Sequence, residues 1–341
     1  MRSVVIDAPG SVRVDTRPDP GLPGADGAVV AVTATAICGS DLHFYDGDYP
    51  IVDPVPLGHE AIGTVVEAGP EVATVRVGDR VMVSSVAGCG HCAGCATRDP
   101  IRCHSGPQIF GSGALGGAQS ELLAVPGADF QLAPIPDGLC DEEALLLTDN
   151  LATGWAAALR ADIPVGGTVA VIGLGAVGLC AARSALLLGA ATVLGVDPVE
   201  QRRERAVAMG ITPAEPSTTV AAMELSGGRG VDAVIDAVGS DVTMSDALTA
   251  VRAGGTVSVV GVHDLQPFPF PALPALLRSV TLRMTTAPVQ QTWPQLIPLL
   301  QSGRLSVAGI FTTEMPLDAA ADAYRAVAAR SGEVVKVLLT P

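Results

Sequence analysis

Residues 168–197, TVAVIGLGAVGLCAARSALLLGAATVLGVD, decide the fold of this chain. Thr168, Val169, Ala170, Val171 and Ile172 form a short apolar, β-branched run that reads as a buried strand. Gly173, Leu174, Gly175, Ala176, Val177 and Gly178 come next, opening a helical pattern that continues through Leu188. Residues 192–196 read as a second strand, and Asp197 ends it, 19 positions after Gly178. A lone G-x-G-x-x-G is weak evidence. With a strand before it, a helix behind it and an acid at that distance, it is a dinucleotide-binding fingerprint. The glycines let a pyrophosphate approach backbone amides at a helix start, where the helix dipole favours negative charge.

Alternation continues outward as a strand over 231–236, a helix over 241–251 and a strand over 256–260, so this half predicts a doubly wound parallel α/β sheet. Upstream the chain is β-rich and irregular. Val4-Val5-Ile6 and Val12-Arg13-Val14 flank Pro9-Gly10, a hairpin signal, and residues 28–34 and 61–83 carry further strand-like runs. Residues 141–160 read as helical, with Asp141 able to cap and Glu142 and Glu143 suited to a first turn. Toward the end, helices are expected over 293–301 and 317–330 and a strand over 334–339.

At 341 residues, two domains are the default. A hydrophobic share of 48% with only 3% aromatic residues implies a core of Val, Leu, Ala and Ile. The net charge of −15 opposes nucleic acid and anionic membrane as partners and leaves small molecules or proteins. The N-terminus lacks the apolar core of a signal peptide, and no uninterrupted run of about 18 apolar residues occurs. Seven cysteines, clustered as metal ligands are, suit a reducing cytoplasm.

Two clusters carry chemistry. Residues 36–69 hold Cys38-Gly39-Ser40-Asp41, then His43, then Gly58-His59-Glu60. Cysteine, histidine and carboxylate are zinc's preferred ligand types, and a hydroxyl at Ser40 with an imidazole at His43 suggests a proton path. Asp149, alone in the apolar run LLLTDNLATGW, needs a partner, and the metal at Cys38 and His59 is the candidate. Taken singly, Cys38 could be a small core residue and His59 a hydrogen-bonded interior one. The second cluster is Cys89, Cys92, Cys95 and Cys103, written C-x2-C-x2-C-x7-C. Short spacers let thiolates converge on one ion, and four sulfurs close a tetrahedral zinc site, so its role is structural. An iron–sulfur cluster is the rival, although that pattern has a shorter last spacer followed by proline. His91 and His104 are expected to be loop residues, and Cys140 and Cys180 inert packing residues.

These motifs together resemble the zinc-dependent medium-chain alcohol dehydrogenase family, over nearly the whole chain. The resemblance implies a discontinuous, β-rich GroES-like catalytic domain (1–150, with the zinc lobe at 89–103, and 288–341) around a Rossmann domain (151–287). It implies two zinc ions per chain: a catalytic one at Cys38, His59 and Asp149, with Glu60 able to approach or ligate it, and a structural one at the four cysteines. It further implies a Ser40–His43 proton relay and NAD held by Gly173, Gly175, Ala176, Val177, Gly178 and Asp197, with Thr153 at the nicotinamide and Arg202 at the adenine ribose. The reaction implied is hydride transfer between NAD(H) and a zinc-held alcohol, aldehyde or ketone, in a homo-oligomer, tetramer rather than dimer. Asp149-Asn150 departs from members with Glu or Cys near that position and favours simple alcohols or aldehydes over sugar alcohols. Polyol or amino-alcohol oxidation, a zinc-independent reductase of the same fold, and a silent dinucleotide-binding sensor are the alternatives. Pocket shape is expected to depend on how the loops near Tyr49, Ile109, Phe110 and Trp293 assemble.

Overall fold

The computed structural model describes residues 1–113 and 115–341. Its second half is built on six parallel strands in the order Thr212–Ala214, Thr192–Val196, Thr168–Ile172, Val231–Asp236, Val251–Val259, Thr281–Met284. The order reverses direction between Thr168–Ile172 and Val231–Asp236, the crevice where doubly wound sheets bind ligands. The fingerprint turn lies at that crevice. Gly173 has φ +85, and a Cβ on Gly178 would sit 1.7 Å from the Gly173 carbonyl, so only glycine lets helix Ala176–Leu187 pack this close to its strand. A Cβ on Gly175 would meet nothing within 4 Å: this side of the turn is open.

A seven-stranded sheet holds the first half. It runs Leu132–Pro134, Arg80–Val83, Ala61–Ala68, Ala28–Ala36, Val337–Thr340, Thr313–Pro316, with Leu122–Val125 also paired to Ala28–Ala36. Leu338 pairs with Ala36 and Leu339 with Thr35, so the end of the chain closes a sheet begun near its start. The N-terminal hairpin pairs Ala8 with Ser11 across Pro9-Gly10. One apolar core joins the two halves, from Ile62 and Met82 through Leu145, Leu151 and Trp155 to Val169, Val171 and Leu296. Among the described residues no helix is long and apolar enough to cross a membrane.

Several expectations are corrected. The 141–160 helix is two helices, Asp141–Leu147 and Asn150–Arg160, broken at Asp149, whose φ of −156 and ψ of −73 are not helical. Cys140, not Asp141, stands at the N-cap, and its N–H donates to the Glu143 carboxylate; Asp141 instead pairs with Arg80. Cys140 is therefore exposed rather than packed. Phe110 and Trp293 are buried, and Trp293 Nε1 donates to the Leu147 carbonyl at 3.0 Å. Helix Val289–Gln301 begins earlier than periodicity predicts and tolerates Pro294 and Pro298.

Candidate metal centres and dinucleotide site

Cys38 caps a single tight turn, Gly39–Asp41, and helix Leu42–Asp46 follows at once. His59 and Glu60 lie just before strand Ala61–Ala68, and Asp149 lies in the break between two helices. The fold brings one ligand atom each from Cys38, His59, Glu60 and Asp149 within 4.8 Å of one another. Cys38 Sγ is 3.8 Å, and His59 Nε2 3.7 Å, from Asp149 Oδ2. Bonds of about 2.0–2.3 Å to a tetrahedral zinc place ligand atoms roughly 3.3–3.8 Å apart, so these residues fit the ion.

The surroundings argue the same way. Asp41, Glu60 and Asp149 meet here beside Lys336 and the His59 imidazole; with that imidazole neutral, as a metal ligand must be, three carboxylates face one ammonium and a further cation is favoured. Glu60 Oε1 accepts from Lys336 Nζ at 2.7 Å and Asn150 Nδ2 at 3.2 Å, whereas Glu60 Oε2 is buried with no hydrogen-bond partner. An orphaned carboxylate oxygen in such a cluster is what a metal or a swinging ligand would use. Burial alone would raise Asp149, but the His59 imidazole facing it at 3.7 Å and the charges of His59 and Lys336 hold the carboxyl below its usual range. Burial pushes Glu60 up, with Lys336 pulling the other way; burial pulls Lys336 down, and the Glu60 charge outweighs it. The lysine's direction governs the pair: flanked by carboxylates, it stays charged.

The residues that orient this cluster were not anticipated. Asp41 Oδ1 lies 3.2 Å from His59 Nδ1, while its Oδ2 accepts the Cys38 N–H at 3.0 Å, so one carboxylate fixes two of the four. Ser85 Oγ donates to Asp149 Oδ1 at 3.0 Å, and Asn150 Nδ2 donates to Asp149 Oδ2 at 2.8 Å. Lys336 comes from the tail, 1% exposed; it is the only lysine in the chain, the one sequence signal that could have singled it out.

Ser40 sits in the Cys38 turn, half-buried. His43 is in the following helix, its Nδ1 2.8 Å from Asp48 Oδ2 and its ring stacked on Tyr49 at 5.1 Å. Tyr49 Oη donates at 3.4 Å to the His263 carbonyl, a contact from the first half to the parallel sheet's loops. Thr153 lies one turn after Asp149, with its N–H on the Asp149 carbonyl at 2.8 Å.

The sulfurs of Cys89, Cys92, Cys95 and Cys103 lie within 4.8 Å of one another, with Cys89 Sγ 3.9 Å from Cys95 Sγ, close to the roughly 3.8 Å a tetrahedral zinc would set. The backbone N–H groups of His104 and Cys95 pull the Cys92 thiol down to about 5, whereas burial pushes Cys95 up to about 12. His91 and His104 are exposed beside the cluster and outside it.

At the dinucleotide crevice, Asp197 is almost fully buried. Its Oδ2 accepts the Leu174 N–H and its Oδ1 the Val199 N–H, each at 2.8 Å. Arg202 Nη1 lies 3.6 Å from Asp197 Oδ2; Arg203 donates to the Asp197 carbonyl and to Glu215. The metal cluster and this crevice are coupled by close packing. A Cβ on Gly154 would meet Ala181 N at 2.6 Å, so this glycine lets helix Asn150–Arg160 press against Ala176–Leu187.

Residues 24–137 match the family described as the alcohol dehydrogenase GroES-like domain, and residues 176–302 match that of zinc-binding dehydrogenases. A Mycobacterium tuberculosis protein described as a probable zinc-binding alcohol dehydrogenase is 68% identical over 100% of this chain and 89% of its own length. An alcohol dehydrogenase from Thermus superposes with a TM-score of 0.92 at 35% identity, covering 100% of this chain and 99% of that one. Two solved structures contain coenzyme. An Escherichia coli alcohol dehydrogenase with NADH has TM-score 0.87 and 26% identity, covering 100% of this chain and 99% of that one. A Sinorhizobium meliloti zinc-binding dehydrogenase with NADP has TM-score 0.83 and 28% identity, with the same coverage.

Proposed function

The chain belongs to the zinc-dependent medium-chain alcohol dehydrogenase family, and from that premise we propose that it interconverts small alcohols with aldehydes or ketones using NAD(H). The observation that carries the reading is the convergence of Cys38, His59 and Asp149 at the start of the helix that packs against the helix following the dinucleotide turn. Residues 1–150 and 288–341 then form the catalytic domain, consistent with pairing of Val337–Thr340 to Ala28–Ala36, and residues 151–287 the coenzyme domain.

Cys38, His59 and Asp149 would hold the catalytic zinc, with Glu60 as the fourth group; Cys89, Cys92, Cys95 and Cys103 would hold the structural one. When bound, the catalytic zinc supplies Lewis acidity to the substrate oxygen and NAD supplies the hydride acceptor. The chain does the rest. Ser40 Oγ takes the substrate's hydroxyl proton as it passes its own on toward His43, whose Nδ1 donates to Asp48 and whose Nε2 is therefore the nitrogen left to accept it. Thr153, on the turn after Asp149, would orient the nicotinamide. The amides after Gly175 receive the pyrophosphate.

Asp197 would accept the adenine ribose hydroxyls, and a 2′-phosphate there would face its charge. Arg203 is tied to the Asp197 carbonyl and Glu215, and Arg202 lies 3.6 Å from the Asp197 carboxylate, whose charge it would have to leave to receive that phosphate. Steady-state assays of NAD(P)H oxidation with aliphatic and aromatic aldehydes should show turnover and a preference for NADH of at least about tenfold, about 1.4 kcal/mol. No turnover with any simple carbonyl would overturn the proposed activity. Equal efficiency with the two coenzymes would overturn the coenzyme assignment alone.

A homo-oligomer completes the reading, a tetramer rather than a dimer. Strand Thr281–Met284 is an edge of the parallel sheet, and the neighbouring helix Ala272–Leu277 exposes Leu273, Leu276 and Leu277 at 65%, 73% and 76%. An unpaired edge beside a leucine patch favours association, and a second copy, pairing the same edge, covers both and gives a dimer; the tetramer that the family resemblance implies needs a second such contact. Sedimentation should give an assembly that Leu276→Glu with Leu277→Glu dissociates; a monomeric unmutated chain would contradict this.

A further inference from the structure

His59 is connected to the C-terminal part of the chain by a continuous file of buried polar contacts. The phenol of Tyr324, in helix Ala320–Ala328, donates to Gln119 Oε1 at 2.9 Å. Gln119 Nε2 donates to Asp41 Oδ2 at 3.2 Å and to the Ala36 carbonyl at 3.1 Å. Asp41 Oδ1 in turn lies 3.2 Å from His59 Nδ1. The direction of the file is not arbitrary. A carboxylate and a carbonyl, both acceptors only, face one end of the Gln119 carboxamide, so its nitrogen must point there and its oxygen toward Tyr324. That fixes His59 as donor through Nδ1 and leaves Nε2 for the metal cluster.

The backbone is shaped around this contact. Gly58, immediately before His59, has φ +93, and a Cβ there would meet Gln119 Cγ at 2.4 Å and its N at 2.8 Å. The Gln119 N–H donates to the Leu57 carbonyl at 3.0 Å, so the chain segments bearing Gln119 and His59 are stapled side by side. Gln119 and Tyr324 are both fully buried. Burial, then the nearby Asp41 charge, holds the phenol well above the ordinary tyrosine range, so Tyr324 remains a donor.

We propose that Tyr324, acting through Gln119 and Asp41, is a positioning residue that sets how tightly the Cys38–His59–Asp149 site holds its metal ion. The proposal rests on the metal reading of that site. Without the phenol, Gln119 Oε1 is left buried and unpaired, the carboxamide loses its fixed orientation, and Asp41 gains freedom that it passes to His59 and to the Cys38 N–H.

The test is zinc affinity of the full-length protein, by competition with a chelator of known affinity, the two sites being told apart with Cys38→Ala. Residues bonded directly to a ligand are worth about 10–100-fold in metal affinity, so Tyr324→Phe, two steps further out, should weaken the His59 site by about three- to tenfold. The four-cysteine site should keep its affinity, and Tyr324→Phe should cost nothing more in a Gln119→Met background. Unchanged affinity in Tyr324→Phe, equal weakening of both sites, or a phenol effect that persists in Gln119→Met would overturn the proposal alone. An unmutated chain that binds zinc only at the four cysteines would overturn the metal reading together with it.

Discussion

Cys38→Ala is expected to give a folded, assembled protein whose turnover falls by at least about a thousandfold. Lewis-acid stabilisation is worth several kcal/mol, and each 1.4 kcal/mol or so is about tenfold in rate. Cys38 faces an open ligand set, with Asp149 and His59 already oriented by Ser85, Asn150 and Asp41, so its removal leaves the scaffold standing. Cys95→Ala should do the reverse. Its sulfur is buried among the other three cysteines and Phe130, in a lobe with little other apolar core. Structural zinc sites contribute folding energy outright, so the unfolding midpoint should drop while kcat per folded molecule is kept. Thermal melts and kcat on the same preparations separate the two. Equal loss of turnover in both variants, at equal folded fraction, would refute the division of labour.

Lys336→Met carries the largest expected effect on stability. Lys336 is 1% and Glu60 0% exposed, and deleting one member of a buried ion pair typically costs about 3–5 kcal/mol because the other charge is left uncompensated. Here the stranded charge would be Glu60, whose Oε2 already lacks a partner. Glu60→Gln combined with Lys336→Met removes both charges and should recover most of that loss. Urea unfolding of the single and double variants gives the answer. A single variant within about 1 kcal/mol of the parent would show that the pair is not what holds the tail against the centre.

What could be read from the sequence was local. The glycine turn at 173–178 and the four cysteines depend on short spacers and backbone freedom, which residue order displays directly. Asp149 stood out as an acid stranded in an apolar run, yet the break it makes between two helices did not. Cys140 was overlooked as an N-cap because its partner, Glu143, carries the reciprocal bond. Strand Thr212–Ala214 holds a proline, tolerable only because it forms a sheet edge. The orienting shell was illegible for a different reason. Lys336 reaches Glu60 across 276 positions and Tyr324 reaches Gln119 across 205, pairings that exist only once the tail has closed the sheet. Phe110 and Trp293, two of the few aromatic residues in the chain, are both buried, which residue order alone does not display.

Zinc content measured together with aldehyde-dependent NADH oxidation, on the unmutated protein and on Cys38→Ala, tests the central claim most directly. Two zinc ions per chain with turnover in the parent, and one zinc per chain without turnover in the variant, is the predicted result. Turnover in a parent that carries one zinc or none, or in a Cys38→Ala variant that has lost the ion, would contradict it.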